Sequence, residues 1–144
     1  AYEPDLLLPG AYIVDTDGTV ALMTNRGPYD TTRYADDAPN WPVINAVQAL
    51  RSTGFRIVGV SGRSEEFRKV TEKWWGDAGL KFDLFLMRPS GDVRNDSEVK
   101  YDLFDQYIRR HYWVQAALDD RPRVLRMWRA IGVPTLQVGD GREF

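Results

Sequence analysis

Cysteine is absent from the 144 residues, which excludes disulfides and thiolate metal sites. A single histidine, His111, rules out a zinc site built on several imidazoles. No apolar stretch approaches the ~18 residues of a membrane span. The short run Leu6-Leu7-Leu8 lacks both the length and the basic flank of a secretory signal. These absences are compatible with a cytoplasmic chain and give no sign of a membrane partner. An excess of positive charge is missing too: 19 Lys and Arg stand against 21 Asp and Glu, a net charge of −2. Polyanion binding would have to come from local arginines and not from a global field. What is present is ordinary for a globular protein, with 43% hydrophobic residues in a length that suits one domain with a substantial core. The chain starts at Ala1-Tyr2 with no methionine, so a segment of something longer is expected.

The chain is organised around AYIVDTDGTVAL, residues 11–22. Residues 11–15 form an apolar run without alternation, as expected of a strand covered on both faces. It ends in Asp15 and Asp17, followed by a tight turn at Gly18-Thr19. Residues 23–40 are polar and aperiodic, with Gly27-Pro28 inside, and are expected to be a long loop or a minimal lid. A helix should start at Pro42, bury Val43, Ile44, Val47 and Leu50, and stop at Gly54. Further strands are expected at residues 55–63, 83–87, 114–120 and 134–139. The helices between them are expected from a Ser64 cap to before Gly79, over 96–110, and from Pro122 to Gly132, with Trp74 and Trp128 in the core. Alternating strands and helices predict an α/β fold: a five-stranded parallel sheet with helices on both faces and right-handed crossovers.

In such a sheet the polar clusters share one rim. Asp15 and Asp17 end the first strand, Ser61 and Arg63 the second, and Asp119 and Asp120 the fourth. Asp96 and Lys100 open the helix after the third. Unpaired carboxylates at buried strand ends cost several kcal/mol. Four of them on one rim call for a cation, and an oxygen-only donor set suggests Mg²⁺. The plain structural alternatives are that Asp119 or Asp120 caps a helix and Ser61 caps a turn. Asp96 either orients Lys100 from four residues away or is simply a helix-start carboxylate. Arg63 either meets an anionic ligand, as arginine forks can, or pairs with Glu65 or Glu66, and Arg26 either meets such a ligand or solvates the lid. Arg33, Tyr34, Arg88 and Arg94 either track a nucleic-acid backbone or are ordinary surface residues.

In this order, DTDGT, VSGR, Lys100 and LDDR resemble the haloacid dehalogenase superfamily of phosphotransferases, whose fold is Rossmann-like. More narrowly, DTDGTVAL, RGPYD, VSGR, RNDSEVK and LDDRPRVLRMWRAIGV are similar to the 3′-phosphatase domain of phage-type polynucleotide kinase-phosphatases. The resemblance runs from about residue 10 to the end, which makes residues 1–10 an extended lead-in and 11–144 one phosphatase domain. It implies Asp15 as nucleophile, forming an aspartyl-phosphate, and Asp17 as acid and then base. It implies magnesium on Asp15, on the backbone carbonyl of Asp17 and on Asp119 and Asp120. Ser61 and Lys100 would hold the phosphoryl oxygens, with Arg26, Arg63 and Asp96 in the binding site. The implied substrate is a nucleic-acid end bearing a 3′-phosphate.

The phosphate-loop pattern G-x-x-x-x-G-K-[ST] is missing, so 5′ phosphorylation by that route is excluded. Either a kinase domain has been cut from a longer chain, or the phosphatase stands alone. Two other readings stay open. Mononucleotides or small phosphomonoesters could be the substrate. A receiver-like phospho-acceptor domain would also gather Asp, Ser and Lys on one rim, although Asp17 argues for turnover.

Overall fold

The computed structural model describes residues 1–24 and 26–142; residue 25 of the expected loop and residues 143 and 144 of the expected domain lie outside them. Its centre is β1 (Gly10–Val14) in a five-stranded parallel sheet. The other strands are β4 (Arg56–Ser64), β5 (Leu84–Arg88), β6 (Trp113–Asp119) and β7 (Thr135–Gln137), in the order β5-β4-β1-β6-β7. A separate antiparallel pair, β2 (Ala21–Leu22) and β3 (Ala38–Pro39), follows β1.

Strand β1 alternates between two cores. Ala11 and Ile13 face one side with α3 (Asp96–Tyr107) and α4 (Pro122–Ala130), among Val99, Phe104, Val124 and Trp128. Tyr12 and Val14 face the other with α1 (Trp41–Ser52) and α2 (Arg68–Asp77), among Ile44, Val47, Trp74 and Trp75. Burial on both faces explains the uninterrupted apolar run in the sequence. Trp75 is fully buried and sets its ring edge-on to Phe85, while its indole N–H donates to Thr16 Oγ1 at 3.0 Å. The lead-in is partly packed: Tyr2 is buried edge-on to Phe104, and its hydroxyl donates to the Tyr112 carbonyl and accepts from the Val114 N–H.

Two local expectations change. Residues 23–40 are not featureless: β2 and β3 pair, and a 3-10 segment (Thr31–Asp36) capped by Asp30 lies between them. Strands of two residues are too short to leave a periodic signal. Ser64 does not cap a helix with its side chain; its hydroxyl is buried, and the chain enters α2 through a 3-10 turn (Glu65–Phe67). Asn95 is the residue that caps α3, accepting from the Glu98 N–H at 3.1 Å. Tyr107, the last residue of α3, is half exposed, while Phe104 on the same helix is fully buried. Among the described residues, no helix is long and apolar enough to cross a membrane.

The strand order fixes where a ligand can sit. The chain winds outward from β1 to β4 and β5, then returns to β6 on the other flank of β1. The crevice between the carboxyl ends of β1 and β6 is therefore the topological switch point, where open parallel sheets bind ligands.

Candidate active site

Asp15 stands at that crevice. Its backbone N–H still bonds to the Leu118 carbonyl at 3.0 Å, so its carboxylate begins where the sheet ends. The chain then turns sharply: the N–H groups of Thr19, Val20 and Ala21 all reach the Thr16 carbonyl within 3.1 Å. The turn requires Gly18 at φ +80°, and a Cβ there would stand 1.9 Å from Asp120 Oδ2. Only glycine meets both demands. Thr19 Oγ1, delivered by the same turn, donates to Asp15 Oδ2 at 2.9 Å.

Lys100 projects from α3 and is buried. Its Nζ donates to Asp15 Oδ1 at 2.8 Å and to Asp119 Oδ2 at 2.7 Å. Asp119 Oδ1 accepts from the N–H groups of Asp120 and Arg121 at 2.9 and 3.1 Å. Asp15, Asp119 and Asp120 each place a carboxylate oxygen within 4.8 Å of the others. Burial, reinforced by Asp119, pushes the Asp15 carboxyl well above its ordinary range, against the pull of Lys100. Burial and Asp119 likewise raise Asp120 to about 6. Burial works against the charge on Lys100, but Asp119 and Asp15 outweigh it and raise its pKa. One ammonium thus serves a cluster of three acids. The chemistry of this donor set, all carboxylate oxygen, fits a hard divalent cation.

A second cluster surrounds Asp17. Arg63 grips it with two donors, Nε to Oδ2 at 3.1 Å and Nη2 to Oδ1 at 2.6 Å. Arg26, from the β2–β3 connection, adds Nη2 to Oδ1 at 2.6 Å. Behind them the buried Asp37 accepts from both arginines, at 2.8 Å from Arg26 Nε and 3.0 Å from Arg63 Nη2. Tyr34 lies beneath, its ring 3.7 Å from the Arg63 guanidinium carbon. The sequence suggests arginine forks on phosphate oxygens; here both guanidinium groups are buried and engaged by carboxylates, an arrangement that fixes the position of Asp17.

A third cluster is centred on Asp96. One carboxylate oxygen accepts from Arg88, the other from Arg121 at 2.6 Å. Arg88 is itself braced by the Gly62 carbonyl at 2.7 Å. Gly62 lets Asp96 approach, since a Cβ there would meet its carboxylate at 2.8 Å. Asp96 therefore spends its oxygens on two arginines and not on Lys100, four residues further along α3.

The three clusters border one cavity of about 370 Å³, with Asp15, Asp17, Lys100 and Asp120 on its floor and Tyr29, Val93 and Arg94 at its rim. Ser61 is buried behind the wall made by Gly62 and Arg63, its hydroxyl oxygen accepting the Arg63 N–H at 3.1 Å. The sequence thus anticipates Asp15, Asp17, Lys100, Asp119 and Asp120 as one group, and they converge. It assigns no role to Thr19, Asp37 or Arg121. Arg121 follows two paired carboxylates directly, and Thr19 lies within DTDGT, so each carried a signal. Asp37 had none, because its contact with Arg26 depends on how residues 23–40 fold.

The bacterial class C acid phosphatase from Bacillus anthracis, solved with tungstate bound, shares this fold: TM-score 0.62 at 14% identity, over 91% of this chain and 66% of that one. Fold and family model together define a phosphatase of the haloacid dehalogenase class, a group of hydrolases that generally use a divalent metal. Within that class, the sequence profile of the polynucleotide kinase PNKP phosphatase domain matches residues 9–143, and the chain belongs to this family. A putative bifunctional polynucleotide kinase/RNA ligase of Autographa californica nuclear polyhedrosis virus is 42% identical over 131 residues, 89% of this chain. The structure of the Pnkp1/Rnl/Hen1 RNA repair complex contains a chain that superposes with a TM-score of 0.93 at 36% identity, covering 98% of this chain. The chain spans 19% of the viral relative and 46% of the repair-complex chain.

Proposed function

We propose that this domain is a magnesium-dependent polynucleotide 3′-phosphatase that works through an aspartyl-phosphate on Asp15. The observation that carries the chemistry is the placement of Asp15 at the switch point, fixed by Lys100 and Thr19, with Asp17 two residues on and held by two arginines. The family and the relatives' names support the substrate class.

An Asp15 carboxylate oxygen attacks phosphorus, and the bond to the 3′-oxygen breaks. Asp17 gives that leaving oxygen a proton, then takes one from the water that attacks the aspartyl-phosphate. This second attack breaks the bond to Asp15 and frees inorganic phosphate. Lys100 offsets the repulsion between the substrate's negative charge and Asp15. Ser61, behind the wall, would reach the phosphoryl oxygens only past Gly62 and Arg63, and Asp96 sets Arg88 and Arg121 around the phosphoryl group. Arg26 and Arg63 orient Asp17, with Asp37 balancing their charge. Asp15, Asp119 and Asp120, with the backbone carbonyl of Asp17, would hold magnesium, which would neutralise phosphoryl oxygens near the acids. Residues 11–144 would form the catalytic domain, with residues 1–10 as its lead-in. The relatives named above support a setting in a longer repair enzyme with a kinase domain. Zero cysteine agrees with a cytoplasmic workplace.

The test is trapping. Acid quenching during turnover of a substrate labelled in its 3′-phosphate should leave label on the peptide containing Asp15. Asp15→Asn should lose the label and at least ~1,000-fold in kcat, as nucleophile deletions do. Full activity in that variant would overturn the assignment.

A further inference from the structure

Tyr29 is conspicuous because nothing in the chemistry above uses it. It is 76% exposed, the most exposed of the large aromatic side chains among the described residues. Yet it is not a loose surface ring. Its hydroxyl accepts from Arg121 Nη2 at 3.3 Å, and Arg121 is buried and ion-paired to Asp96. On the chain side, Arg26 donates to the carbonyls of Gly27 and Pro28, immediately before Tyr29. The same Arg26 holds Asp17. The ring is thus tied at its hydroxyl end to one functional cluster and along its backbone to another, while its bulk stays open to solvent. Tyr29 lines the cavity that contains Asp15, and so does Val93, which is 94% exposed on the β5–α3 connection. The polar groups lie on the floor, and Tyr29 and Val93, both exposed, stand at the rim.

We propose that Tyr29, with Val93 sharing the rim, is a stacking subsite for the base of the nucleotide carrying the 3′-phosphate. The inference rests on the polynucleotide reading above and deepens it. A phosphoryl group that reaches Asp15 places its own sugar inside the cavity and its base at the rim. There an aromatic face can stack on any base without reading its edge. Anchoring the hydroxyl lowers the entropy lost when the ring is ordered by substrate. This gives a reason for an exposed aromatic ring to be braced from two directions.

The test compares kcat/KM for a 3′-phosphorylated oligonucleotide with kcat/KM for glycerol phosphate, which has no base. The ratio of the two isolates the subsite from the chemistry. Tyr29→Ala should lower this ratio about tenfold, through KM for the oligonucleotide, in the range that loss of one aromatic–base stack produces. Tyr29→Trp and Tyr29→Phe should keep the ratio within about twofold, because each retains an aromatic face. A ratio unchanged in Tyr29→Ala would overturn the subsite. So would an equal loss on both substrates, which would give Tyr29 a merely structural role. A Tyr29→Phe variant as impaired as Tyr29→Ala would also overturn it, by making the Arg121 contact the relevant one. If the unmutated protein fails to prefer the oligonucleotide, the polynucleotide reading itself falls, and the subsite with it; that result is read before any variant is made.

Discussion

At the scale of single residues, the site is a problem in charge. Asp15 and Asp119 share one ammonium beside Asp120, and burial resists ionising Asp15 and Asp120. Asp120 is raised to about 6, so in the folded protein it holds its proton more tightly than it does unfolded. Ionising it therefore costs stability. Without metal, the protein should become more stable as pH falls from about 7 to about 5, and lose that gain as pH rises through 6. Magnesium favours the ionised acids, so it should flatten or reverse this slope. Melting temperature against pH, with chelator and with magnesium, checks it; a chelated protein that is steadily more stable at higher pH would contradict the account. The partly buried Asp92, held down to about 2 by hydrogen bonds from Arg94, titrates below this window and leaves it clear. Lys100→Met removes the ammonium that two buried carboxylates bond. It should cost about 3 kcal/mol or more in denaturant unfolding of the metal-free protein, with part of the loss recovered in magnesium. Unchanged stability would mean that the acids are neutral and the ion pairs unimportant.

At the scale of elements, the β1 strand and its turn do most of the positioning. Gly18 satisfies a positive φ and also leaves room for Asp120. Gly18→Ala should destabilise the fold by roughly 1–2 kcal/mol through backbone strain. It should also weaken magnesium binding at least about tenfold, because the new methyl group displaces the Asp120 carboxylate. Calorimetric titration with magnesium reads the second effect apart from the first, and wild-type affinity in a correctly folded variant would contradict it. This element was legible in the sequence for a physical reason: a strand buried on both faces must be apolar throughout, and acids directly after it stand out. Asp37 and Tyr34 were not legible in the roles they take. Their partners Arg26 and Arg63 are brought to them by the β2–β3 pair and by strand β4, and neither contact leaves a periodic trace. Asp96 was legible as a member of the site, but not as the partner of Arg88 and Arg121.

At the scale of the whole molecule, the alternation of strands and helices was enough to expect a parallel sheet with two helical layers. Periodicity and connectivity are local properties, and right-handed crossovers leave few ways to arrange them. The strand order was not expressed in the same way, yet it places the switch point beside β1. That order turns acids separated by about a hundred residues, Asp15 and Asp119, into one site. The cavity there is polar at its floor and lies open at a rim formed by Tyr29 and Val93, which suits the end of a long substrate better than a small enclosed one. The most direct measurement is phosphate release from an oligonucleotide phosphorylated at its 3′ end, run beside the same oligonucleotide phosphorylated at its 5′ end, with magnesium and with chelator. The account predicts release from the 3′ end alone and only with magnesium. Equal release from both ends, or release that persists in chelator, would contradict it.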